Sequence, residues 1–79
     1  MKSQELIEQR PDVMLGKPVI KGTRITVEHI LDRMGDGWTE AQILDSYPHL
    51  TIEHIRAALA FAARSLASDE TVFLMEKAR

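Results

Sequence analysis

The sequence predicts a mainly α domain: a trihelical helix-turn-helix behind a short N-terminal β-ribbon. Three observations carry the prediction. Val27, Ile30, Leu31 and Met34 recur at helical spacing after Thr26. Thr39 and Thr51 each precede a further helical run, one short and one long. Upstream, "KPVIKGTRITV" is rich in β-branched residues and lacks a helical period.

Taken in order, "MKSQELIEQR" reads two ways: Ser3 caps a short helix, or Leu6 and Ile7 form an edge strand. Pro11 and Asp12 favour a turn in "RPDVMLG". "KPVIKGTRITV", interrupted by Gly22, reads as strand, turn, strand. Thr26 is the expected N-cap of helix one. "GDGW" ends that helix, since Gly35 or Gly37 can take a left-handed C-cap conformation. Thr39 with Gln42 makes a capping box for helix two, which must stop before Pro48. Thr51 caps helix three, with Ile52, Ile55, Leu59, Ala62 and Leu66 as its buried stripe and Ala58 and Phe61 widening it. The chain then divides into an N-terminal segment (1–10), a ribbon plus trihelical domain (11–66) and a tail (67–79).

With 79 residues the chain holds one small domain. It has no cysteine, which excludes disulfides and thiolate metal sites and fits a reducing compartment. No signal-peptide core and no run of membrane-spanning length is present, so the expectation is a cytoplasmic protein with no membrane partner. A net charge of −2 argues against strong non-specific nucleic-acid binding by the whole molecule. The charge is uneven, however: Arg10, Lys17, Lys21, Arg24 and Arg33 face only Asp12, Glu28 and Asp32 within residues 10–33.

Most catalytic chemistries find no support. A phosphate loop needs G-x-x-x-x-G-K-[ST], but Gly16 and Gly22 are separated by five residues and no lysine precedes Thr23. His29, His49 and His54 match no zinc spacing and read as helix-start or turn residues, so no metal or cofactor is expected. Thr23, Ser46 and Tyr47 are scattered over caps and turns, and a non-enzyme is expected. Trp38 reads as a lid over helices one and two, and Tyr47 as a corner residue between helices two and three.

Nucleic-acid binding has more support. Lys17, Lys21 and Arg24 lie on or beside a turn from which cations reach phosphates, and Arg56 and Arg64 lie off the main stripe of helix three. The alternative is that the three ribbon cations only discourage strand-edge pairing. Helix three also offers Glu53 and an exposed patch of Ala57, Ala60 and Ala63, which can read few base edges. In the tail, Val72, Phe73, Leu74 and Met75 are candidates for partner binding, beside the alternatives of extending helix three or folding back.

The motifs G-K-P-x-I-x-G-T-R-I and I-L-x-x-Y-P-x-L-T-x-x-x-I-x-A-A-L stand at matching mutual spacing across roughly residues 11–63. In these the chain resembles the bacterial family catalogued as domain of unknown function 433. The resemblance implies a homeodomain-like helix-turn-helix fold with a β element on its N-terminal side. It also implies an antitoxin of the VapB class: a homodimer that captures a PIN-like ribonuclease toxin and represses its own operon by binding operator DNA. It transfers no catalytic or binding residues.

Overall fold

The computed structural model describes residues 3–67, so Val72, Phe73, Leu74 and Met75 lie outside the described residues. The architecture is mainly helical, three α-helices with a two-stranded antiparallel sheet. A 3-10 turn (Ser3–Leu6) leads into β1 (Ile7–Glu8), so the segment holds a short helical turn that includes Ser3 and Leu6 and then a strand that starts at Ile7. A second short turn, Met14–Gly16, precedes β2 (Val19–Ile20). Then follow α1 (Val27–Gly35), α2 (Glu40–Ser46) and α3 (Ile52–Ala67).

The ribbon differs from the expected hairpin. β2 pairs with β1, Ile7 opposite Ile20 and Glu8 opposite Val19. The expected second arm is reduced to a bridge between Val19 and Thr26. Thr26 is the reason. Its hydroxyl accepts the His29 N–H at 2.9 Å as the N-cap of α1, so the chain enters the helix where a strand would have continued.

Helix boundaries follow local chemistry. Thr39 and Gln42 form a reciprocal capping box: the Gln42 N–H donates to the Thr39 hydroxyl at 3.1 Å and the Thr39 N–H to the Gln42 carbonyl at 2.8 Å. At the start of α3 one half of the same device recurs: the Thr51 N–H donates to His54 Nδ1 at 2.9 Å, so a histidine stands where α2 has Gln42. α1 ends in a Schellman motif, with the Trp38 N–H on the Arg33 carbonyl and the Gly37 N–H on that of Met34. Gly37 takes φ +95° there, while Gly35 stays helical with open space around a would-be Cβ. Gly37→Ala should therefore cost about 1–2 kcal/mol, whereas Gly35→Ala should gain about 0.5 kcal/mol. Thermal melts of the two variants should shift in opposite directions.

The core gathers one face of each helix around β2. Ile20, Ile30, Ile43 and Ile55 are fully buried, joined by Val27, Leu50 and Ala58. Trp38 packs against this cluster and carries the Arg33 guanidinium 5.1 Å from its ring centroid, closing the α1–α2 corner. Tyr47 fills the corner before α3, its hydroxyl 2.6 Å from His29 Nε2 and hydrogen-bonded to it.

On α3 the buried face is broader than the expected stripe and displaced from it. Ile55 and Ala58 are buried and Ile52, Phe61 and Ala62 half-buried, but Leu59 is 37% and Leu66 58% exposed. Ala57, expected at the surface, is fully buried. The 3-10 turn packs along α3 in addition to α1 and α2, so a second flank of the helix is covered and Leu59 is left outside.

Candidate nucleic-acid interface

The turn joining Ile20 to Ile25 is held by its own polar groups. The Ile20 N–H donates to the Ile25 carbonyl at 2.8 Å, and the Thr23 hydroxyl donates to the Ile20 carbonyl at 2.8 Å. The same hydroxyl accepts the Ile25 N–H at 3.0 Å. Gly22, at φ +78°, turns its N–H onto a Glu8 carboxylate oxygen at 3.0 Å. Such a tied turn presents Lys21 and Arg24 on fixed backbone, and both are exposed with no ion pair among the described residues.

The five predicted cations differ in their surroundings. Lys17 Nζ lies 3.0 Å from Glu28 Oε1 on the first turn of α1, so its charge is already matched. The pair is exposed on both sides and is worth at most about 1 kcal/mol. Arg24 lines a pocket of about 200 Å³ with Met14, His29 and Tyr47, a space at the junction of ribbon, α1 and α3 entry. Arg56 and Arg64 stand on α3, both exposed, and neither lines that pocket. The exposed side of α3 carries Glu53, Arg56 and Arg64 beside an apolar run of Leu59, Ala63 and Leu66.

Three features escape a reading of residue types. Met14 and Leu15, at φ +48° and +59°, occupy the left-handed region ahead of Gly16, and Leu15 is 93% exposed. Pro11 and Asp12 marked a turn in this stretch, but no residue type marked Met14 and Leu15 as its left-handed positions. Glu8, fourteen residues before the Gly22 N–H that it accepts, and Glu28, eleven after the Lys17 ammonium that it pairs with, each come to the ribbon by folding. The third is the His29–Tyr47 contact, an edge-on ring pair with centroids 5.8 Å apart that ties α1 to the entry of α3. Among the described residues no group of three or more His, Asp or Glu side chains could hold a metal ion, and no helix is long and apolar enough to cross a membrane.

Comparison with known proteins places the chain. The family model described as "Protein of unknown function (DUF433)" matches residues 7–62, a span that begins at β1 and so includes the whole ribbon. The uncharacterized protein y4eO of Sinorhizobium fredii (strain NBRC 101917 / NGR234) is 32% identical over 72 residues. That match covers 90% of this chain and 33% of the relative, so the chain spans about a third of that relative's length. The crystal structure of a DUF433 member protein from Anabaena variabilis ATCC 29413 superposes with a TM-score of 0.73 at 28% identity, covering 96% of this chain and 71% of that one. By motif, by span and by fold, the chain belongs to the DUF433 family.

Proposed function

We propose that the chain is a small, cytoplasmic DNA-binding protein of antitoxin type, with no catalytic activity and no cofactor. In this reading it belongs to the VapB class, captures a PIN-like ribonuclease toxin and represses its own operon as a homodimer. Helices α2 and α3, joined by residues 47–51, serve as a homeodomain-like helix-turn-helix. The observation that carries the DNA half is the pair Lys21 and Arg24, exposed, unpaired among the described residues and mounted on a hydrogen-bonded turn. Phosphate contacts from such a turn position a protein on a duplex, and Arg56 on α3 is the group available to read a base edge. Val72, Phe73, Leu74 and Met75 supply the toxin-binding segment.

Fluorescence anisotropy with a duplex from the region upstream of the gene tests this. Binding should be strongest at low salt and should fall linearly in log–log form as salt rises, because each phosphate contact releases counterions. A folded protein that fails to bind at low salt would sink the DNA half. A second reading then stands: a homodimeric interaction module without DNA contact. The apolar stripe Leu59, Ala63 and Leu66 favours it, since a reading helix needs polar side chains where this one has methyl groups.

A further inference from the structure

A second surface of the described residues lies away from the basic turn, between α1 and the second half of α3. It is an open groove of about 720 Å³ with an apolar floor of Pro18, Val27, Leu31, Phe61, Ala62 and Leu66. One rim is acidic. Glu28, Asp32 and Asp36 stand at i, i+4 and i+8 of α1 and its cap, all exposed, in a row of about 12 Å. Gly35, beside Asp36, keeps that end of the floor low, with nothing within 4 Å of a would-be Cβ.

We propose that this groove docks an amphipathic helix of another protein, of two to three turns, with lysine or arginine along one edge. Apolar side chains at i, i+3 or i+4, and i+7 would occupy the floor, as in helix-in-groove recognition. Cations on the edge would meet the acidic row. Asp32 makes no ion pair among the described residues, and Asp36 is held only loosely by Arg33 at 3.9 Å. Glu28 can exchange Lys17 for an incoming cation at little cost, since that pair is exposed. A second copy of this chain fits less well. α2 has no Lys or Arg, and α3 seated in the groove would join two different surfaces, which builds an open chain of copies instead of a closed dimer. The inference concerns a different surface from the basic turn and stands whether or not the chain binds DNA.

The test is a titration of the full, isotope-labelled chain with two designed helical peptides of about 15 residues, long enough to hold a helix once docked. Both carry the same leucine stripe; one is edged with lysine and the other with glutamate. The lysine-edged peptide should shift the amides of Val27, Leu31, Gly35 and Ala62, and the glutamate-edged one should not. Asp32→Lys should weaken the first peptide about fivefold, in line with one exposed charge pair turned repulsive. Gly35→Trp, which adds bulk to open space, should abolish binding while the melting temperature shows the fold intact. Equal binding of both peptides, or shifts elsewhere on the chain, would overturn the proposal. So would contacts from Val72, Phe73, Leu74 or Met75 to Phe61 in the peptide-free chain, because the groove would then be filled from within. Growth of large assemblies with protein concentration would point to a second copy as the occupant and overturn it equally.

Discussion

Ile55→Ala is expected to destabilise the domain by about 2–5 kcal/mol, whereas Leu59→Ala should cost less than about 1 kcal/mol. Ile55 is fully buried among Ile20, Ile30 and Ile43, where removing three carbons leaves a cavity that β2 and two other helices cannot collapse to fill. Leu59 is more than a third exposed and gives up little contact. A domain of this size holds only about 5–15 kcal/mol in total, so the first change consumes a large share of the stability. Urea melts at constant m-value report both. If Leu59→Ala proves as costly as Ile55→Ala, then Leu59 belongs to the core and the buried arc on α3 runs as its sequence period suggests.

That contrast shows where a sequence is legible. The starts and stops of the helices were readable because each depends on a local group: Thr26, Thr39 with Gln42, and the glycine after Asp36 act on backbone atoms within a few residues of themselves. The centre of the core was readable because Ile30, Ile43 and Ile55 hold the helical period in their own segments. What could not be read depends on segments meeting. Val19 and Ile20 find their strand partner in β1, twelve positions back, while the adjacent run keeps only the Val19–Thr26 bridge and the Ile20–Ile25 bond, because the chain enters α1 at Thr26. Ala57 looked exposed since the period of α3 accounts for one packed flank, and the N-terminal turn covers another. The same limit applies to the candidate interface. Lys17, Lys21 and Arg24 form a cluster by position in the chain, yet only folding shows Glu28 drawn to the first of them and Glu8 to the turn between the others.

This uneven pairing makes the three cations inequivalent toward DNA. Removing a phosphate contact lowers the slope of log affinity against log salt by about 0.9. If all three contacted phosphates equally, the triple change to alanine would lower the slope by about 2.7, a difference of about 40-fold between 50 and 200 mM salt. With Lys17 neutralised by Glu28, Lys21 and Arg24 carry the contacts, so the loss should be near 1.8 in slope, or about 12-fold over that range. Lys17→Ala alone should then leave the slope almost unchanged. Glu28→Gln should raise affinity, by freeing Lys17 and removing a carboxylate from the path of the phosphates, and the gain should vanish when Lys17 is also alanine. Anisotropy titrations at four or five salt concentrations separate these cases. A slope that drops equally for Lys17, Lys21 and Arg24 would show that the Lys17–Glu28 pair opens on binding. A slope unmoved by all three would show that the turn guards the edge of the ribbon and that DNA, if bound, meets the chain through α3.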